Sequence, residues 1–96
     1  MTRADTIAAL GTLKAELSAF DVASLCLFGS HARDAADDQS DIDLVVAFRD
    51  PATFDTYMGL KFFLEDRLGR RIDLVTDAAI RSELRPAIER EAIRVA

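Results

Sequence analysis

Apolar residues recur at three- and four-residue steps along the first twenty positions, which is the spacing of one face of an α-helix. Thr2 and Asp5 stand three residues apart at the start, in the arrangement of a capping box. The pattern predicts one helix through this segment, with its apolar face formed by Ile7, Leu10, Leu13, Leu17 and Phe20.

Two segments further along have the patterns of β-strands. Residues 24–28 form a short apolar run that ends at Gly29, which suits a strand buried on both faces. Residues 41–48 alternate, so that one face carries Ile42, Leu44, Val46 and Phe48 and the other carries Asp41, Asp43, Val45 and Ala47. Ten residues separate Ser30 from Asp41. This connection is shorter than the roughly twelve residues of a parallel crossover, so the two strands are expected to be antiparallel neighbours.

The second half of the chain predicts a long helix followed by a third strand. Asp50-Pro51 has the form of an N-cap followed by proline in the first turn, and Gly69 suits the helix end. Residues 71–76 then alternate, with Asp73 on the face opposite the apolar positions. Because a whole helix separates this strand from the previous one, we expect a parallel crossover. The helical positions between them are Phe54, Tyr57, Met58, Leu60, Leu64 and Leu68.

The last nineteen or so residues, from Ala78 onward, suggest one or two helical pieces. Pro86 suits a first turn, and Ile88, Ala92 and Val95 or Ala96 repeat after it. The elements together predict an α/β fold of the α+β type, a small mixed sheet of three strands or slightly more flanked by about four helices. A length of 96 residues fits a single domain over residues 1–96.

Composition narrows the class of protein. A net charge of −5 disfavours general nucleic-acid binding, which depends on Lys and Arg neutralising phosphates. Cys26 is the only cysteine, which excludes an intramolecular disulfide and fits a reducing compartment. The first residues have no basic segment followed by a long apolar run, and no stretch approaches the roughly 20 apolar residues of a membrane span. We therefore expect a cytoplasmic protein.

The strongest chemical signal is the pair Asp41 and Asp43. Two residues apart on a strand, they point the same way and bring two negative charges together, so they need a cation. Carboxylate oxygens are ligands that suit Mg²⁺, which takes further ligands from nucleotide phosphates. Asp73 has the same setting, Ile-Asp-Leu-Val, on a strand expected nearby. In a two-metal site, with ions about 3.5 to 4 Å apart, Asp41 and Asp43 would bridge both ions and Asp73 would serve the attacking side.

Gly29 and Ser30 lie where the first strand ends and a short helical turn over residues 31–36 is predicted to begin. Glycine lets the backbone approach a phosphate closely, while the Ser30 hydroxyl and free amides can donate to phosphate oxygens. Arg33 could add a bidentate phosphate contact from the same turn. Each feature alone is a weak signal.

Taken together, the residues read L-F-G-S-H-A-R, then seven further positions, then D-I-D-L-V-V. This order and spacing resemble the DNA polymerase beta-like nucleotidyltransferase superfamily, and most closely its minimal nucleotidyltransferases, the MNT antitoxins found beside HEPN-domain toxins. The resemblance runs from about Ser24 to the end of the chain. It departs from the family at Asp34, where many relatives have glycine, and this could alter the phosphate-binding turn.

The resemblance implies ATP with Mg²⁺ and transfer of AMP to a hydroxyl, which in the antitoxins belongs to a tyrosine of the partner toxin. By position, Asp41, Asp43 and Asp73 would be the catalytic and metal-binding carboxylates, and Gly29 and Ser30 would hold the triphosphate. Two alternatives stay open. The domain could neutralise its partner by binding alone, or it could adenylylate a small molecule such as an aminoglycoside, although no second domain is evident to form that pocket.

Other side chains have plainer interpretations. His31 is the only histidine and is at least as consistent with a solvent-facing position as with a phosphate contact, so it receives no catalytic role. Cys26 lies in an apolar run and suits core packing better than nucleophilic catalysis. A calcium loop at residues 37–41 is excluded because Ile42 stands where the loop needs glycine. The aromatic residues of the long helix suit a core or a partner interface better than base stacking.

Overall fold

The centre of the fold is a four-stranded sheet with the strand order β3-β2-β1-β4 in the computed structural model, which describes residues 2–33 and 41–96. Helices flank this sheet, as the sequence predicts. In chain order the elements are α1 (Arg3–Gly11), α2 (Lys14–Ala19), β1 (Val22–Phe28), α3 (Gly29–Ala32), β2 (Ile42–Phe48), α4 (Phe54–Leu68), β3 (Ile72–Thr76), a 3₁₀ helix (Asp77–Ala79), α5 (Arg85–Glu91) and β4 (Ile93–Arg94).

The pairing of the three longer strands confirms both predicted connections. β1 and β2 are antiparallel, and Phe28 lies opposite Asp43. β2 and β3 are parallel, and Asp43 lies beside Asp73. The register therefore brings two aspartates from different strands to adjacent positions, next to the point where β1 ends.

The N-terminal helix is divided in two, so the prediction of one continuous helix is wrong. The capping box is present: the Thr2 hydroxyl accepts from the Asp5 amide, and the Asp5 carboxylate accepts from the Thr2 amide. α1 ends at Gly11, and the Thr12 hydroxyl then donates to the Ala9 carbonyl at 2.7 Å. Glycine and threonine favour helix less than most residues do, which explains a break here. Leu13, Leu17 and Leu10 are buried on both sides of the break.

The predicted start of α4 at Asp50-Pro51 is also wrong. The N-cap is Thr53, whose hydroxyl accepts from the Thr56 amide at 3.1 Å. The Asp50 amide instead donates to the carboxylate of Asp21 at 3.3 Å, which holds residue 50 in the preceding loop. The end of α4 agrees with the prediction, because Gly69 adopts the left-handed conformation with φ 65°.

The final residues form a short strand instead of continuing the last helix, which corrects the expected repeat through Ala92 and Val95. α5 begins with Pro86 in its first turn, as predicted, and ends at Glu91. Ala92 is extended, and the Val95 amide donates to the Leu25 carbonyl at 2.9 Å. Partners on the edge of β1 satisfy these backbone groups, and an isolated final helical turn would leave its carbonyls unpaired.

One hydrophobic cluster joins the helices to one face of the sheet. The fully buried strand residues come from alternate positions of β1 and β2, and α4 contributes every fourth residue of one side. The apolar side chains with no exposure are Leu10, Leu25, Leu27, Ile42, Leu44, Val46, Leu60 and Leu64. Within the described ranges no helix is both long and apolar enough to cross a bilayer.

Two side chains of α4 cover the outer edge of β3. The Tyr57 hydroxyl donates to the Leu74 carbonyl, and the Glu65 carboxylate accepts from the Ile72 amide at 3.2 Å. Both backbone groups belong to alternate residues of β3, on the side away from β2. The helix therefore blocks this edge against pairing with another strand.

Replacing Tyr57 with phenylalanine is expected to lower the free energy of unfolding by about 1 kcal/mol, because the Leu74 carbonyl loses its donor while the ring is kept. Urea denaturation measures the difference. Glu65→Gln is the matched control, since an amide oxygen still accepts from the Ile72 amide, and it should change stability less. Equal stability of Tyr57→Phe and wild type would show that this hydrogen bond does not hold the edge.

Candidate active site

The sequence-predicted residues meet where three elements come together. β1 ends at Phe28 and turns into α3, β2 begins at Ile42, and β3 begins at Ile72 beside it. The second residues of β2 and β3 are Asp43 and Asp73, on the sheet face opposite the buried Ile42 and Ile72. Alternation along each strand thus places the carboxylates away from the hydrophobic cluster.

Asp43 and Asp73 form a close carboxyl pair. The pKa of Asp43 is raised from 3.8 to about 6, first by burial and then by the charge of Asp73, to which the protonated Asp43 carboxyl also donates a hydrogen bond. The charge of Asp41 raises it further, and the charge of Arg33 acts in the opposite direction. Two acidic groups that share a proton in this way form a site that favours a cation.

Gly29 lies directly against the Asp43 carboxylate. Its φ is 72°, a backbone angle that residues other than glycine rarely adopt. A Cβ at this position would lie 3.0 Å from Cγ of Asp43 and closer still to Oδ2. Both the backbone conformation and the space therefore require glycine, and the close approach fixes the carboxylate beside the first turn of α3.

Asp41 precedes β2, and its carboxylate is 3.1 Å from Nε of Arg71, the residue before β3. The Ile42 amide donates to the Arg71 carbonyl at 3.0 Å, which keeps the two strand starts in register. Among residues 2–33 and 41–96 no three side chains of His, Cys, Asp or Glu converge closely enough to hold a metal ion. The arrangement is a carboxyl pair with a third carboxylate nearby that is paired with arginine.

The three aspartates suit a divalent cation that prefers oxygen ligands. The donors are carboxylate oxygens at the starts of the strands. The pKa of Asp43 is raised by burial and then by the charge of Asp73, and a bound cation would offset the negative charge of both groups. The ion pair of Asp41 is largely exposed, and such pairs contribute only about 0 to 1 kcal/mol, so a cation could displace Arg71 at little cost. Asp41, Asp43 and Asp73 are the residues that would hold Mg²⁺.

Ser30 and Arg33 follow Gly29 along the chain, Ser30 within α3 and Arg33 directly after it. Ser30 is half-buried in this four-residue helix, one position after Gly29. The Arg33 guanidinium donates to the carboxylate of Glu91 on α5 at 3.0 Å, an exposed ion pair. Its charge nevertheless acts on Asp43, so the side chain is near the carboxyl pair. The predicted turn beyond Arg33, with Asp34, lies outside the described residues.

The site also contains a residue whose role sequence reasoning missed. His31 is fully buried, which overturns the expectation of a solvent-facing side chain. Burial lowers its pKa and the charge of Arg70 lowers it further, against a smaller effect of the Asp41 backbone. Neither ring nitrogen makes a hydrogen bond of normal geometry to the described residues. The ring is therefore buried in its neutral form. A single histidine in a short turn gave no signal of burial in the sequence.

Cys26 lies outside the hydrophobic cluster, which corrects the expectation of core packing, and the aromatic residues of α4 are divided between the cluster and the surface. Cys26 is a free, half-buried thiol on β1, and burial raises its pKa, which argues against a nucleophile. Tyr57 and Phe63 pack against the hydrophobic cluster. Phe54 and Phe62 are exposed instead.

The raised pKa of Asp43 predicts a pH-dependent effect on stability. A group whose pKa is higher in the folded protein stabilises the fold fully below pH 3.8, and this contribution is lost as the pH rises through about 6. In magnesium-free buffer, Asp43→Asn should therefore become more stable relative to wild type between pH 4 and pH 8. We expect about 1 kcal/mol, after allowance for solvent screening.

Thermal unfolding across this pH range, with a chelator present, measures the difference. The matched control is Asp66→Asn on the exposed side of α4, which should follow wild type at every pH. A constant difference between Asp43→Asn and wild type would show that Asp43 does not titrate in this range.

The fold and the carboxyl pair define a class of protein. The family model for the nucleotidyltransferase domain matches residues 10–95, and the chain belongs to this family. It is a nucleotidyltransferase with a mixed four-stranded sheet.

Individual relatives narrow the class to the minimal nucleotidyltransferases. The protein adenylyltransferase MntA of Thermococcus cleftensis is 33% identical over 76 residues, covering 79% of this chain and 77% of the relative. A solved structure described as a minimal nucleotidyltransferase superposes with a TM-score of 0.85 at 33% identity, covering 97% of this chain and 95% of the other. An MNT antitoxin solved with the tri-AMPylated HEPN toxin of Shewanella oneidensis has the same fold, with a TM-score of 0.69, 19% identity and coverage of 92% and 69%.

Proposed function

We propose that this nucleotidyltransferase is a Mg²⁺-dependent protein adenylyltransferase and an antitoxin, which transfers AMP from ATP to a tyrosine hydroxyl of a partner HEPN-type toxin. The observation that carries the proposal is the Asp43–Asp73 carboxyl pair held against Gly29. The 33% sequence identity to an MntA protein adenylyltransferase supports a protein as the acceptor. The fold shared with an antitoxin that was solved with a tri-AMPylated HEPN toxin supports a HEPN-type toxin as the partner. We place the reaction in the cytoplasm, where ATP and Mg²⁺ are available.

The proposed reaction exchanges one phosphorus–oxygen bond for another. The hydroxyl oxygen of the acceptor bonds to the α-phosphorus of ATP, the bond from that phosphorus to the bridging oxygen breaks, and pyrophosphate leaves. Magnesium, when bound, would offset the negative charge of the triphosphate and of the carboxylates. The acceptor proton passes to a carboxylate or to water.

Each site residue has a role in this scheme. The amides at the start of α3, beside Gly29, would bind the triphosphate, with Ser30 donating to a phosphate oxygen. Asp41 and Asp43 would bind metal. Asp73 is the more exposed member of the carboxyl pair, so it is suited to the acceptor side, where it can take the hydroxyl proton. Arg33 would leave Glu91 to contact phosphate.

Intact-protein mass spectrometry tests the proposal. The purified chain is mixed with the proposed HEPN-type partner toxin, Mg²⁺ and ATP, and the expected product is toxin that is heavier by one or more AMP units on tyrosine. A chelator, or an ATP analogue that cannot be cleaved between the α- and β-phosphates, should prevent the mass increase. Unmodified toxin in the complete reaction would contradict the proposal.

A second candidate function is neutralisation by binding alone. The ion pair of Asp41 with Arg71 favours it, because this carboxylate already has a cationic partner within the chain. Cell growth distinguishes the two: a chain that carries Asp41→Asn with Asp43→Asn should fail to protect cells from the toxin if catalysis is needed. Full protection by this variant would make binding sufficient.

A further inference from the structure

His31 is a polar side chain whose burial the packing of this fold does not explain. It is fully buried, and neither ring nitrogen makes a hydrogen bond of normal geometry to the described residues. A neutral imidazole has one N–H donor and one acceptor nitrogen, so burying both without partners opposes folding. Leucine is similar in size and would fill the same space without this cost. A buried polar group of this kind therefore needs an explanation other than packing.

The position of His31 connects two parts of the candidate site. It is the third residue of α3, which begins at Gly29, directly against the Asp43 carboxylate. α3 packs against both α1 and β2. Burial is the main cause that lowers the pKa of the ring, and the Asp41 backbone acts in the opposite direction, as a carbonyl beside a ring N–H does. The ring is therefore close to the main chain at Asp41, the residue before β2.

The peptide unit that joins Asp41 to Ile42 has one partner on each side in this arrangement. Its N–H, on Ile42, donates to the Arg71 carbonyl at 3.0 Å, on the side of β3. Because a trans peptide is planar, its C=O, on Asp41, points the opposite way. This is the side of β1 and of α3, which follows β1. His31 is thus placed to hold the carbonyl while Arg71 holds the N–H.

Other roles for His31 do not suit its surroundings. Full burial keeps the ring from contact with a nucleotide or an acceptor, so it is neither a catalytic base nor a phosphate ligand. Magnesium prefers oxygen ligands, so the ring nitrogens are unsuited to the proposed metal. The Asp41 backbone remains as the group on which the ring can act.

We propose that His31 is a positioning residue for the metal site: its ring N–H holds the Asp41 carbonyl toward α3, so that Asp41 and Asp43 keep a fixed position relative to Gly29. This inference rests on the proposed function only in taking the two aspartates as metal ligands. Contacts that orient metal ligands in this way are important, and their loss typically lowers metal affinity by about 10- to 100-fold.

The test begins with His31→Leu, which removes both ring nitrogens and keeps a buried side chain of similar size. The affinity for Mn²⁺, measured by electron paramagnetic resonance without nucleotide or toxin, should fall about 10-fold. The unfolding temperature should equal or exceed that of wild type, because the variant no longer buries two unpaired nitrogens. A residue that served packing alone would show the reverse, lower stability with unchanged affinity.

His31→Asn and His31→Gln are the conservative variants, since their amide N–H groups stand near the places of Nδ1 and Nε2 of the imidazole. At least one of them should restore most of the Mn²⁺ affinity, and the one that does identifies the donating nitrogen. The matched control is Thr6→Val on α1, which alters another fully buried polar side chain. It should leave the Mn²⁺ affinity unchanged.

The wild-type ring can also be observed directly by NMR. His31 is the only histidine, so its imidazole gives a single set of ¹⁵N signals. We expect one neutral tautomer with a slowly exchanging ring N–H, which is the signature of a nitrogen held by an acceptor. A ring that averages between the two tautomers would contradict the proposal.

Unchanged Mn²⁺ affinity of a folded His31→Leu variant would overturn the positioning role. So would a loss of affinity that neither His31→Asn nor His31→Gln restores, because the shape of the ring and not its N–H would then be the cause. These measurements need no toxin, so the two proposals fail separately. If wild type leaves the toxin unmodified while its Mn²⁺ affinity depends on His31 as expected, the proposed acceptor is wrong and the positioning role stands.

Discussion

Replacing Asp41 and Asp43 together with asparagine is expected to abolish AMP transfer, with kcat/KM lower by about 1,000-fold or more. Asparagine keeps the size of each side chain but removes two negative charges from the site, and it leaves Asp73 as the one carboxylate of the proposed set. The fold should be retained, because neither side chain belongs to the hydrophobic cluster. At alkaline pH without metal the variant should unfold at a higher temperature than wild type. The raised pKa of Asp43 means that its ionisation destabilises the wild-type fold, and asparagine does not ionise.

Transfer of radiolabelled AMP from ATP to the toxin measures this effect. Asp55→Asn with Asp66→Asn is the matched control, since it removes two negative charges from α4 at a distance from the carboxyl pair, and kcat at saturating toxin should be unaffected. Circular dichroism establishes that both variants are folded. Transfer by the Asp41 and Asp43 variant at a rate near wild type would reject the assigned site.

The second large effect is expected at Gly29. Alanine there must accept a positive φ and would press on the Asp43 carboxylate, so the carboxylate or the α3 turn has to move. We expect the strained backbone and the steric contact with Asp43 together to lower the free energy of unfolding by about 2 to 4 kcal/mol. We also expect kcat/KM to fall about 100-fold. Nucleotide affinity should fall with it, because the movement of the carboxylate or of the α3 turn would displace the groups proposed to hold the metal and the phosphates.

Gly69→Ala separates the two causes. Its φ is 65°, close to that of Gly29, but a Cβ there meets nothing within 4 Å. This substitution should lower the free energy of unfolding by only about 1 kcal/mol, because alanine is strained at a positive φ, and it should leave kcat/KM unchanged. Urea denaturation and steady-state kinetics on both variants make the comparison. Equal losses for the two glycines would mean that the contact with Asp43 has no importance.

The sequence predicted those features that depend on short-range pattern. The alternation around Asp43 and Asp73, the connection lengths and the glycine at position 69 were sufficient to predict two strands side by side, their directions and the end of α4. Each follows from the period of a strand, the reach of a loop or one backbone conformation. The adjacency of Asp43 and Asp73 follows from the same register.

Apart from the helix break at Gly11 and Thr12, the errors lie where a distant part of the chain decides a local conformation. Asp50-Pro51 has the form of a helix start, yet Asp21, far away in sequence, takes the Asp50 amide. The helical repeat after Ile88 is interrupted because β1 offers Val95 a backbone partner. The burial of His31 and the pairing of Asp41 with Arg71 likewise depend on how separate elements pack, which periodicity cannot report.

The proposed metal site at the carboxyl pair is tested most directly by locating a bound divalent cation. Crystals of the chain grown with Mn²⁺ in place of Mg²⁺ and a non-hydrolysable ATP analogue would locate the ion by its anomalous scattering. We predict a peak within about 2.5 Å of carboxylate oxygens of Asp41 and Asp43, beside Asp73 and next to Gly29, with Asp41 released from Arg71. A nucleotide bound away from this site would contradict the assignment. So would a nucleotide bound at the site with no ion on the carboxyl pair.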